Sequence, residues 1–148
     1  MEPLSIATGC ICLITTIGKT SSLITSFMRN CRAAHHDLDD ISRELASVEN
    51  VLNLLRDDIS PTNDEEIPET LRVQIATTIF NCGRALKELD ELLRRHNGER
   101  INQAASWAMT GKYDAARLRS SLAVHRDNLN LFLQMLSLYV YLRDHCFS

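Results

Sequence analysis

The side chains able to do chemistry are five cysteines, Cys10, Cys12, Cys31, Cys82 and Cys146, and five histidines. A structural zinc ion needs four nitrogen or sulfur ligands, most often from paired thiols. Cys31 with His35 or His36, or His145 with Cys146, offers part of such a set, and no C-x-x-C pair completes it. Four of the cysteines sit inside hydrophobic patterns, as small apolar thiols of a reducing compartment do. There is no glycine-rich phosphate loop, no H-E-x-x-H and no G-x-S-x-G. Carboxylates fall on polar faces rather than in pairs within apolar stripes, so no acid/base dyad is indicated. No aromatics are interleaved with basic residues as a stacking platform for single-stranded nucleic acid, and the net charge of −3 gives no pull toward polyanions. The expectation is a protein that is not an enzyme, uses no cofactor or metal, and has no nucleic-acid partner.

What remains is helical patterning. With 148 residues, five Gly and three Pro, the chain suits a single domain, 1–148, made of few long elements. From about Asp37 to Asp58, apolar residues from Leu38 to Ile59 alternate steps of three and four. The opposite face carries seven acids against Arg43 and Arg56 and reads as solvated. The stretch "SPTNDEEIPE" predicts a loop, with Pro68 suited to the first turn of the next helix. That helix runs from Glu69 to about His96 on a stripe from Leu71 through Ile79 to Leu93, and Gly98 is a plausible stop. A short helical piece bearing Trp107 and a kink at Gly111 precede a last long helix, Tyr113 to Arg143. Its stripe includes His125, which suits a hydrogen-bonded boundary position better than a ligand. Its N-terminal half is basic, with Lys112, Arg117, Arg119 and Arg126, a patch suited to solvent, an acidic helix or anionic lipid. The predicted fold is all-α: an antiparallel four-helix bundle with a short extra helix before the last long one.

The first helix is the unusual one. "PLSIATGCICLITTIGKTSSLITSF" contains one charge, Lys19. Glu2 and the missing basic n-region argue against a secretion signal. The uncharged run from Pro3 to Gly18 has 16 residues, about 24 Å of helix, short of the about 30 Å of a bilayer core. Ile6, Cys10, Leu13, Ile17, Thr20, Ile24 and Phe27 form a heptad seam, yet no charge marks the opposite face before Lys19. A surface helix normally shows a polar face. This one belongs at the centre of a fold, under a partner, or ready for lipid.

The start "MEPLSIATGCICLITTIGK", the segment "DLDDISRELASVENVLNLL" and the stretch "SWAMTGKYDAARLRSSLAVHRDNLNLFLQML" together resemble the HeLo-like N-terminal domains of fungal STAND/NLR-like signalling proteins. Those are related in architecture to the HeLo domain of a fungal incompatibility toxin and to the four-helix bundle of the MLKL necroptosis executor. The resemblance implies the N-terminal effector of a programmed-cell-death or immune-like protein. Such an effector is cytoplasmic at rest. It forms homo-oligomers on activation, in cis or trans with an NLR-type receptor, and carries its first helix to the plasma membrane. By position, Leu4, Ile6, Ile11, Leu13, Ile14 and Ile17 would insert, and Lys112, Arg117, Arg119 and Arg126 would meet anionic lipid or a partner. The competing expectation is a bundle for protein interaction or homo-oligomerisation with no membrane activity, since another protomer could cover the same apolar surplus.

Overall fold

A computed structural model describes residues 5–59, 66–97 and 103–146 of the chain. Helix α1 spans Ile6–Asn30 and α2 His35–Asp58, joined by Cys31 and a 3₁₀ turn at Arg32–Ala34. Helix α3 spans Glu69–His96. A four-residue α4, Gln103–Ser106, runs through a π-helical turn, Trp107–Gly111, into α5, Lys112–Cys146. No strand occurs among the described residues.

Local chemistry sets the helix ends. The Ser5 side chain accepts from the Thr8 backbone N–H at 3.1 Å, an N-cap for a helix with no acid in its first turn. The Cys31 N–H closes α1 by donating to Phe27 O at 2.9 Å. Pro68 stands one residue before α3 in extended geometry, as a residue lacking an N–H can at a helix entrance. Glu69 lies in the first turn of α3, and Arg94, Arg95 and His96 in its last, each matching the macrodipole.

The bundle is assembled from two hairpins. α1 packs on α2 and α3, and α5 packs on α2 and α3 from the far side, so α1 and α5 occupy opposite corners, as do α2 and α3. Ion pairs fix the directions. Arg117 meets Glu88 at 3.3 Å while the Tyr139 hydroxyl donates to Glu66 O at 2.6 Å, so α5 is antiparallel to α3. Arg126 meets Glu44, and Leu136 and Tyr139 lie beside Asp58 and Ile59, so α5 runs parallel to α2. Chain direction alternates from helix to helix, but the α2–α3 connection crosses a diagonal. That crossing places α1 and α3 side by side in the same direction.

The core fills the space between these helices. The α1 seam from Ile6 to Phe27 is buried throughout, as is the α2 stripe from Leu38 to Ile59. Two features differ from the sequence expectation. Gly111 does not interrupt the last helix: the backbone widens there by one π turn and continues. The α2 outer face is not wholly solvated either, because Glu44 is buried and Asp37 is half-buried, each held by a side chain from the C-terminal third of the chain. The loop expectation at 60–65 and the Gly98 stop lie outside the described residues.

Candidate functional site

Among the described residues no group of three or more His, Cys, Asp or Glu is placed to hold a metal ion. None of the five cysteines forms a disulfide: Cys10, Cys31 and Cys82 are buried, Cys12 and Cys146 exposed. Burial pushes the Cys82 thiol up to about 12, so it is no nucleophile. His35 and His36 face solvent. His125 is half-buried, with Nε2 3.3 Å from Ser121 Oγ, and burial lowers its pKa. The surfaces that stand out among the described residues are apolar or charged.

The first surface is the outside of α1. Of the six residues the sequence singled out for insertion, Ile6, Leu13 and Ile17 lie in the core, Ile14 is half-buried and Ile11 is 50% exposed. Leu4 lies outside the described residues. Around Ile11 the exposed face is built from Thr8, Cys12, Thr15 and Thr16, with no charge before Lys19. Thr15 donates to Ile11 O and Thr16 to Cys12 O, each at 3.0 Å, and Thr25 donates to Ser21 O at 3.0 Å. These hydroxyls find their acceptors within the helix itself, as serine and threonine do in apolar surroundings. By length and composition α1 could cross a membrane, although one such helix is equally what a core helix looks like.

The second surface is the basic start of α5. Lys112 and Arg119 are exposed. Arg117 is paired with Glu88, and Arg126 is held 2.5 Å from Glu44 Oε1 and 3.2 Å from Asp127. The four cations therefore do not form one open patch, since two of them tie α5 to its neighbours.

A third surface escaped the sequence reading. Between the parallel helices α1 and α3 runs a groove of about 610 Å³. Gly9, Cys12, Ala76 and Gly83 keep its walls low, Ile79 forms its floor, and Phe80, 66% exposed, stands on its rim. The signal was present as small residues on two amphipathic helices. Only the diagonal α2–α3 crossing, which periodicity does not encode, brings them face to face. A fourth surface is the late outer face of α5, where Leu131, Met135, Leu138 and Leu142 are exposed at steps of four, three and four.

One end of the bundle is locked by a buried node. The Trp107 indole N–H donates to Asp37 Oδ2 at 2.9 Å, and the ring packs on Phe27 and His96 at 5.4 and 5.6 Å between centroids. His96 Nδ1 lies 2.8 Å from Ser106 Oγ, and burial with the neighbouring Arg95 lowers its pKa, against a smaller opposing effect of Asp114. The node joins α1, α2, α3 and the π turn, which is a structural role.

Residues 1–141 match the family described as pigment biosynthesis cluster protein PigL N-terminal, a fungal N-terminal domain family. The chain belongs to that family. No curated protein and no solved structure matches it. The match extends from the start of the chain to the last turns of α5, so α1, the groove and most of the α5 stripe all lie within the family's extent.

Proposed function

We propose that this domain is the N-terminal effector of a fungal programmed-cell-death or immune-like signalling protein of the HeLo-like kind. It acts by oligomerisation and by membrane targeting or permeabilisation through α1, resting in the cytoplasm and moving to the plasma membrane on activation. The observation that carries the reading is the outer face of α1. That face is uncharged up to Lys19, and Thr15 and Thr16 are already bonded to the helix's own carbonyls. The inner face gains roughly 25 cal/mol per Å² of apolar surface whether it is buried in protein or in lipid. The outer face adds little opposition, so a modest trigger can shift α1 between the two environments.

Dye release from anionic liposomes tests this with Ile11→Asp and Thr15→Asp. Both positions are exposed, so the bundle keeps its core, while a carboxylate at mid-helix opposes insertion by about 3 kcal/mol. Release should fall at least tenfold in either variant. Equal release by wild type and variants, or none from chemically cross-linked oligomers, overturns the proposal.

The exposed α5 stripe favours a second reading, a homo-oligomerisation bundle without membrane activity. Light scattering separates the two. A stable oligomer that Leu131→Lys with Leu138→Lys disperses, and that leaves liposomes intact, supports the second.

A further inference from the structure

The α1–α3 groove changes character along its length. From Ser5 to Thr16 on α1 it extends about 16 Å, at 1.5 Å per residue. Its first two-thirds are walled by Ile6, Gly9, Leu13, Ala76 and Ile79. Near Thr16 and Gly83 it opens into a less apolar continuation of about 480 Å³, and here cations gather: Arg84, Lys87 and Lys19.

What sets these cations apart is that they converge on one mouth of the groove without ion pairs of their own. The other cations without an ion pair among the described residues, Arg29, Arg32, Lys112 and Arg119, line neither hollow. Arg43, Arg56, Arg94, Arg95, Arg117, Arg126 and Arg143 each have a carboxylate within 4.0 Å. Lys19, Arg84 and Lys87 have no ion pair among the described residues. The nearest acid in the continuation, Asp90, is held by Arg94 at 2.9 Å. An apolar channel ending in three cations that form no ion pair among the described residues is complementary to a molecule with an apolar tail and an anionic head.

We propose that the α1–α3 groove is a binding site for a single-chain anionic amphiphile, an acyl chain bearing a carboxylate or phosphate. The tail lies along Gly9, Cys12 and Ile79, and the head meets Lys19, Arg84 and Lys87. At Gly83 a Cβ would meet nothing within 4 Å, which leaves width for a polymethylene chain. At Gly9 the Ile79 side chain comes within 3.5 Å of a Cβ position and forms the floor on which the chain lies. The channel length suits a chain such as that of laurate. The proposal stands on the groove alone and is independent of the membrane reading, since leakage and groove occupancy are measured separately.

Cys12 reports on the site, because its exposed thiol lies in the groove wall. With Cys146→Ser, it is the one exposed thiol among the described residues, and its modification by the neutral reagent N-ethylmaleimide can be timed. Laurate or dodecyl phosphate, below the micellar range, should slow that reaction saturably by at least tenfold, and comparing the two shows which head is preferred. Dodecyltrimethylammonium should need at least tenfold higher concentration, and inorganic phosphate should do nothing. Arg84→Gln with Lys87→Gln should weaken laurate at least fivefold while leaving dodecanol unchanged. A Cβ at Gly83 meets nothing within 4 Å, so Gly83→Leu should fold with an undiminished melting temperature. Isothermal calorimetry on that filled groove should show laurate heat abolished. The proposal is overturned by an absence of saturable slowing, by equal effects of the cationic and anionic amphiphiles, or by calorimetric binding that survives Gly83→Leu. It is also overturned if protection follows protein concentration rather than laurate, which would mean that a second copy closes the groove.

Discussion

A Cβ placed on Gly111 would lie 2.4 Å from Cε3 of Trp107, inside the indole ring's own volume. The π turn that begins at Trp107 and ends at Gly111 lets the backbone pass directly over the ring, and only a residue without a side chain fits there. Gly111→Ala should therefore destabilise the domain by about 2–3 kcal/mol, as overpacking of a core does, although alanine is the better helix former. Gly18 is the control: a Cβ there meets nothing within 4 Å, so Gly18→Ala should stabilise by about 0.5–1 kcal/mol. Urea unfolding of both variants decides the matter, and the same sign for both would remove the steric account.

The thiols divide by environment. At pH 8 in native buffer, N-ethylmaleimide should add to Cys12 and Cys146 and leave Cys10, Cys31 and Cys82 unmodified. A thiol pushed up to about 12, as Cys82 is, is thiolate in about one molecule in ten thousand at that pH. Intact mass spectrometry should show two additions before denaturation and five after it. Rapid native modification of Cys82 would mean that α3 opens locally.

Stability should fall on mild acidification. His96 is buried with Nδ1 bonded to Ser106 and Nε2 without a partner among the described residues, and its pKa lies below the ordinary 6.5. The unfolded chain then takes up a proton first as pH falls. The histidine's contribution is complete above about 6.5 and is lost as pH drops through the lower folded value. His125, lowered by burial as well, acts in the same direction. The melting temperature should decline from pH 7 to pH 5, with a shallower decline in His96→Gln. An unchanged slope in that variant would place the titration elsewhere.

The parts of the fold legible in the sequence were those encoded by local periodicity. The α1 seam Ile6–Phe27 and the α2 stripe Leu38–Ile59 are buried as their spacing required, and α3 begins and ends where Pro68 and the basic last turn indicated. Two kinds of information were missing. Periodicity states which face of a helix is apolar but not which helix it meets, so the groove that leaves Ile79 half-buried was invisible. Charged residues were read by their immediate neighbours in sequence, whereas Asp37 is hydrogen-bonded by Trp107 and Glu44 is ion-paired with Arg126, seventy and more positions away.

Glu44 shows what such a distant partner is worth. Its side chain is 11% exposed, and the Arg126 guanidinium that faces it is 29% exposed. A carboxylate stripped of its cation at that depth keeps its desolvation cost and loses its compensation. Arg126→Ala should destabilise by about 2 kcal/mol, below the range for fully buried pairs because water still reaches the guanidinium. Glu44→Leu combined with Arg126→Leu should recover most of that loss, since two apolar groups at an α2–α5 contact need no pairing. A double-mutant cycle in urea measures the coupling, and a neutral Arg126→Ala would mean that Glu44 holds no ionised pair. The same variant bears on the basic start of α5: a cation already committed to α2 is not available to lipid. Its removal should therefore lower stability without a specific loss of liposome binding, whereas charge reversal at the exposed Lys112 and Arg119 should lower binding to anionic liposomes and leave the urea midpoint unchanged.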